Sequence, residues 1–255
     1  MVNSSSDRQV WDKFWAGKHP DTIYPPVTNI VEELKNIIDI KGKRILEVGA
    51  GTGRDGLRMQ ELGGDVSLLD YSEESLELIR LIRNKDRVQL VMGDARDCPF
   101  ENATFDVVFH QGLLEHFPSP FALLCENHRI LKRNGLLVVD VPQTVHVYTV
   151  IKHILISLGV WFGGWERQFT LGSLSKLLEA LGFEPIYAYG DWSRPGILYK
   201  MLRQVFMKFK IALPMYPKYL GVLTRKFYNL QDRLRKKKLF LYTVLSIGVI
   251  ARKSC

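Results

Sequence analysis

The chain has 255 residues, 46% hydrophobic and 24% charged, enough for one globular domain with elaborations and cramped for two independent ones. Cys98, Cys125 and Cys255 show neither paired metal-ligand spacing nor the density of a disulfide scaffold, and no basic segment followed by an apolar run marks the N-terminus; free thiols in a reducing cytoplasm are expected, without a secretory signal. The net charge of +8 is regional: residues 194–255 hold 15 Lys and Arg against one acid, Asp232, a net of +14 that leaves −6 for the rest.

Near the N-terminus Trp11, Phe14 and Trp15 fall at helical spacing, with Tyr24-Pro25-Pro26 beyond. They fit either a core-facing amphipathic helix or a lid over a site, and residues 1–42 are expected to form an N-terminal helical lid segment. From Lys43 onward apolar runs alternate with amphipathic stretches, the pattern of strands and helices wound into a mostly parallel sheet. Strand one is expected at 44–48 and a helix at 54–62. Strand two follows at 65–69, then a helix from Glu73 with Leu76, Leu78, Ile79 and Ile82 on its apolar face. Strand three is expected at 87–91 and strand four at 105–109, where FDVVF is a continuous apolar run suited to a sheet covered on both faces. A helix at 121–131 should stop at Asn134-Gly135, and strand five, 136–141, should end where Pro142 breaks the ladder. Five strands with four helical crossovers result.

The remainder departs from this alternation. A helix is expected at 170–180, ended by Gly182, then a strand at 183–189 and a last strand at 240–251. The apolar stretch 145–164 is interrupted by His146, Lys152 and His153, so a buried or interfacial helix is expected rather than a membrane span. Residues 143–168 and 191–238 lie outside the skeleton and read as insertions in a domain running from 43 to 255. Their aromatics, Trp161, Phe162, Trp165 and Phe169 in the first, Tyr199, Phe206, Phe209 and Tyr216 in the second, suit an acceptor cap or the packing of a helical subdomain.

At the end of strand one, Glu47-Val48-Gly49-Ala50-Gly51-Thr52-Gly53 places three alternate glycines in one turn. Glycine tolerates positive φ and lets a ligand approach the backbone, while the following helix presents free N–H groups. In doubly wound sheets ligands bind beyond the carboxyl ends of the strands, where this loop lies. Asp70 ends strand two, where a carboxylate can accept both hydroxyls of a ribose, and Asp94 follows strand three, placed for an adenine amino group. Each alone would serve as a helix N-cap; in register after three successive strands they point to a nucleoside.

The segments ILEVGAGTG, LLDYS, GDARDCPF, FDVVFHQGLLEHF and LLVVDVP resemble the successive motifs of class I S-adenosylmethionine-dependent methyltransferases, and FTLGSLSKLLEALGF is similar to the segment that follows them. The resemblance covers about residues 43–189. It implies a doubly wound, Rossmann-like α/β fold with a seven-stranded, mostly parallel sheet and an antiparallel last strand, here carrying helical insertions. It implies S-adenosylmethionine as cofactor, leaving as S-adenosylhomocysteine. By position, Glu47, Gly49, Ala50, Gly51 and Gly53 would surround the methionine moiety, Asp70 would bind the ribose and Tyr71 would lie beside the adenine. Asp94 and Ala95 would hold the adenine edge, and Gln111 would line the floor near the transferred methyl. An NAD fingerprint would place its third glycine where Arg54 stands.

The sulfonium carries its own leaving group, so the protein's task is in-line placement and, for a hydroxyl or ammonium acceptor, proton removal. His116 and Glu115, after strand four, are the candidate bases, with His110 and Asp140 behind them; His116 has the suitable titration range and equally suits a packing role. No metal is called for by the spacing of acids and histidines. Since the cofactor should occupy the sheet edge up to strand three, the acceptor should enter over strands four and five. A small-molecule, lipid-linked or glycan-type acceptor is expected, with RNA methylation and a catalytically silent binding module as alternatives. The basic, aromatic segment 194–238 suits an anionic membrane surface, placing the protein at the inner face of the membrane; nucleic acid ranks below it.

Overall fold

A computed structural model describes residues 8–18, 29–82, 88–159, 166–192, 196–208, 211, 213–214 and 221–254. Its centre is a seven-stranded sheet: β1 (Arg44–Val48), β2 (Asp65–Asp70), β3 (Gln89–Met92), β4 (Phe105–Gln111), β5 (Leu131–Pro142), β6 (Phe183–Asp191) and β7 (Ser246–Lys253). The strand order is β3-β2-β1-β4-β5-β7-β6, and β7 runs antiparallel to both its neighbours. This is the Rossmann-like architecture expected from the motifs.

Alternate residues of the central strands feed two cores, one on each face. Ile45, Val107 and Val138 pack with α2 (Asn29–Lys35), α3 (Arg54–Glu61) and α4 (Glu73–Ile82), through Ile30, Leu34, Met59 and Ile79. Leu46, Val108 and Val139 pack on the other side with α5 (Phe121–Ile130) and α7 (Leu171–Ala180), through Leu123, Leu124, Leu174 and Leu178. With helices on both faces, the strands need continuous rather than alternating apolar character. The first of these cores also absorbs part of the 1–42 segment: Ile30, Val31 and Leu34 of α2 are fully buried. Among the described residues of that segment, α1 (Arg8–Trp15) stands over the carboxyl end of the sheet through Trp11 and Trp15.

Several local expectations need correction. The helix after β4 ends at Ile130, where Leu131 turns to extended backbone (φ −74, ψ 138) and begins β5. Asn134 does hold positive φ, 62°, but inside the strand, at the irregularity between Phe105↔Leu131 and Val107↔Leu136. Pro142 stays in the ladder opposite Ser246. Residues 93–104 cross from β3 to β4 through turns and a bridge between Asp94 and Asp97, with no helix, so four helical crossovers among five strands is one too many. The last strand starts at Ser246, because Phe240–Tyr242 form a 3-10 turn whose Leu241 packs inward.

The first insertion carries α6 (Val147–Ser157); its ends are closed by Gln143 bridging Phe169 and by the Thr144 hydroxyl donating to the Phe169 carbonyl, 2.7 Å. The second carries α8 (Ile197–Lys208) and α9 (Gly221–Leu234). Its end is fastened by buried Glu33 of α2, which meets Arg235 at 2.6 Å and Lys236 at 2.9 Å. Two members of the basic run therefore serve the fold. Among the described residues no helix is long and apolar enough to cross a membrane. Tyr24-Pro25-Pro26, Arg87, Trp161, Phe162, Trp165, Phe209, Tyr216 and Cys255 lie outside the described residues; Phe169 is a core residue.

Candidate active site

A cleft of about 280 Å³ opens at the carboxyl ends of β1, β2 and β4, beneath α1. The glycine loop forms its floor. Gly49 and Gly51 have φ of 65° and 55°, and a Cβ on them would stand 2.9 Å from Leu113 and from Trp15 respectively, so both backbone shape and space demand glycine. Gly53 also has positive φ but faces the core, where a Cβ would meet Leu68 and Ile79; it shapes the loop and does not line the cleft.

Two carboxylates, Glu47 and Asp55, line the cleft beside the glycine loop. Glu47 is buried, accepts the Gly56 N–H at 2.9 Å and is pushed well above the usual carboxylate range, by burial first and then by Asp55. Asp55, in the first turn of α3, is raised to about 6 by burial, against the pull of Arg54. Its Oδ1 is buried without a hydrogen-bond partner. Two desolvated carboxylates facing one cavity are repaid when a cation enters, which fits the α-ammonium of a methionine moiety. Sequence reading found Glu47 and missed Asp55. The signal was an acid two residues after the third glycine, on the cleft side of the helix.

Asp70 sits at the tip of β2. Its Oδ2 accepts the Gly51 N–H at 2.8 Å and its Oδ1 the Ser72 N–H at 2.9 Å, so the carboxylate braces the glycine loop while keeping lone pairs for hydroxyl donors. Burial raises it above its usual range despite these bonds. Tyr71, Asp94 and Ala95 also border the cleft. The Asp94 carboxylate is held by Arg96, Nη2 to Oδ2 at 2.6 Å and Nε to Oδ1 at 2.9 Å, which lowers its pKa. Arg96 was not anticipated; a ligand donor reaching Asp94 would share that carboxylate with a guanidinium.

The cleft also has apolar walls: Trp11, Leu113 and Phe117 line it, with Gln111 and His116 as further polar members; Leu113 stands over Gly49, and the Phe117 ring lies 5.7 Å from the Arg96 guanidinium. Trp11 meets the His116 ring edge-on, with centroids 4.8 Å apart. Burial pushes the His116 pKa down to about 4, Glu166 opposing and Lys152 reinforcing the shift, so the imidazole is neutral at physiological pH. Glu115 does not reach the cleft. Its side chain is buried with Oε2 unpartnered, and burial followed by Glu166 raises it to about 8, which leaves it protonated at neutral pH. The 3-10 turn Leu114–His116 points successive residues in different directions, which separates the two candidate bases. His110 and Asp140 also lie off the cleft. His110 is wholly buried in β4 and lowered to about 3 by burial, and Asp140, in β5, is raised to about 7 by burial.

A methyltransferase-domain family model matches residues 46–139. A demethylmenaquinone methyltransferase of Staphylococcus epidermidis is 35% identical over 162 residues, 56% of this chain and 67% of that protein. Another, from Clavibacter sepedonicus, is 34% identical over 110 residues, 43% of this chain; the chain spans 45% of that relative's length. A putative sarcosine dimethylglycine methyltransferase from Galdieria sulphuraria has the same fold, with TM-score 0.62, 17% identity and coverage of 89% of this chain and 85% of that one. With the glycine cradle, the paired carboxylates and the seven-stranded topology already in place, these matches settle the family: the chain belongs to the class I S-adenosylmethionine-dependent methyltransferases.

Proposed function

We propose that the protein transfers a methyl group from S-adenosylmethionine to a small aromatic acceptor of quinone or hydroquinone type. The observation that carries this reading is one cleft with two kinds of lining: a glycine floor with buried carboxylates, suited to the donor, and the aromatic and aliphatic walls of Trp11, Trp15, Leu113 and Phe117, suited to a flat, apolar partner. The relatives named for demethylmenaquinone support the acceptor class.

The bound donor would supply an activated methyl whose leaving group departs as a neutral thioether. Glu47 and Asp55 would hold its ammonium, Gly49, Ala50 and Gly51 its methionine backbone, Asp70 its ribose, and Tyr71, Asp94 and Ala95 its adenine. Trp11 and Trp15 of α1 are proposed as the lid; α2 belongs to the core. Gln111 and His116 flank the reacting end. His116, neutral and set against Trp11, would orient the acceptor and take the proton of a hydroxyl group at its unprotonated nitrogen. Glu115 would stay protonated and act only through the turn it anchors. The segment 194–238 is proposed to meet anionic membrane through the cations that Glu33 does not engage.

Incubation with radiolabelled methyl donor, comparing hydroquinones with lipid extracts, glycan precursors, small amines and RNA, tests the acceptor. Label in hydroquinones is expected. Label confined to RNA or glycans would overturn the acceptor class, and absence of label with intact donor binding would favour a silent module.

A further inference from the structure

α6 is built inside out. Its cation, Lys152, is buried and ion-paired with buried Glu166, and Thr149 is buried beside it. Its aliphatic residues face the other way: Val150, Ile151, Ile154 and, at the C-cap, Leu158 are 48–68% exposed. The spacing i, i+1, i+4, i+8 puts these four on one stripe with no charge between them. A helix of a soluble surface normally shows the reverse pattern.

The second insertion adds a complementary feature. On α9 and the segment after it, exposed Phe227, Leu230 and Leu239 alternate with exposed Arg225, Lys226 and Lys238. Asp232, the single acid after Arg194, is drawn to Arg235 at 3.3 Å. Aliphatic and aromatic tips among cations match a surface of acyl chains under anionic headgroups. A second copy of the chain fits less well, since it would bring the same net +8 to the contact.

α6 is also mechanically tied to the cleft. Glu166, which holds Lys152, is followed by Arg167, whose backbone N–H donates to the Glu115 carbonyl at 2.6 Å and whose Nη1 donates to the Pro118 carbonyl at 3.0 Å. The strap therefore runs from the outward helix to the turn that carries His116.

We propose that α6 seats Val150, Ile151, Ile154 and Leu158 in the acyl layer of an anionic membrane, so that the cleft beside His116 receives an acceptor held in the bilayer. The acceptor rests on the functional reading above; the membrane contact does not.

The test uses the full chain with vesicles of phosphatidylcholine alone and with phosphatidylglycerol added. Flotation with the anionic vesicles is expected, and an Ile154→Trp variant should shift its emission to the blue and be quenched by lipids brominated on the acyl chain. The double variant Ile151→Glu, Ile154→Glu should bind vesicles roughly tenfold less while binding S-adenosylhomocysteine as the parent does, which separates a lost membrane face from a lost fold. No flotation at low salt, an unmoved Trp signal, or unchanged flotation of the double variant would overturn the proposal. So would a dimer in sedimentation that the double variant dissolves, since α6 would then face a second copy. If flotation holds while donor binding fails in the parent, the methyltransferase reading falls and the membrane face stands.

Discussion

Replacing Asp55 by Asn is expected to stabilise the free protein and weaken its grip on the cofactor. The carboxyl is raised from 3.8 to about 6 by burial, so between those values the folded chain holds a proton that the unfolded chain has released. Stability contributed by that proton is present at low pH and is lost as pH rises to about 6. At about 1.4 kcal/mol per unit the ionised group costs about 3 kcal/mol above pH 6. Asn carries no charge to desolvate, for a gain of up to about 3 kcal/mol at pH 7.5. Urea unfolding from pH 4 to 8 reads the difference, which should be small near pH 4 and level off above 6. Calorimetry with S-adenosylhomocysteine, which keeps the ammonium, should show a dissociation constant raised at least about tenfold. A variant no more stable than the parent at pH 7.5, with unchanged affinity, would refute the pairing of Asp55 with a ligand cation.

Gly49→Ala should abolish donor binding in the same calorimetric assay, because its φ of 65° and the Leu113 side chain both exclude a Cβ; the backbone alone costs about 1–2 kcal/mol, visible as a lower melting temperature. His116→Ala should lower turnover roughly 100-fold while leaving donor affinity intact. In the parent, kcat/KM should hold through neutral pH and fall as pH drops towards about 4, where the ring becomes protonated; an acid limb that persists unchanged in His116→Ala would remove His116 as the base. Arg235→Met leaves Glu33 buried with Lys236 as its remaining cation, and should cost about 2 kcal/mol in urea unfolding.

What could be read from the chain depended on whether the signal was local. β1, α3 and β4 were legible because an uninterrupted apolar run or a glycine turn is itself the physical cause of the element. Asn134-Gly135 shows the limit: the residues correctly signal positive φ, but only the pairing of Leu131 with Phe105 decides that the turn lies within a strand. β7 was placed early because Phe240, Leu241 and Tyr242 are as apolar as the strand they precede. In the site, residues placed by backbone position, such as Gly51 and Asp70, do line the cleft. Those that depend on side-chain direction were not separable: Glu115 and His116 are adjacent in sequence, yet only His116 lines the cleft. Arg96 and Asp55 were missed because neither stands in the position of a known ligand contact; their meaning comes from the carboxylates they face. The outward apolar face of α6 was invisible because composition does not say which side of a helix the fold uses.

The central claim, that the cleft on the glycine loop is a donor site, is tested most directly by titrating the parent protein and Asp70→Ala with S-adenosylhomocysteine in a calorimeter. One-to-one micromolar binding to the parent is expected, weakened by at least about tenfold in Asp70→Ala, which loses the carboxylate proposed for the ribose and the brace on Gly51. No binding to the parent at high micromolar concentration, or equal binding by both proteins, would contradict it.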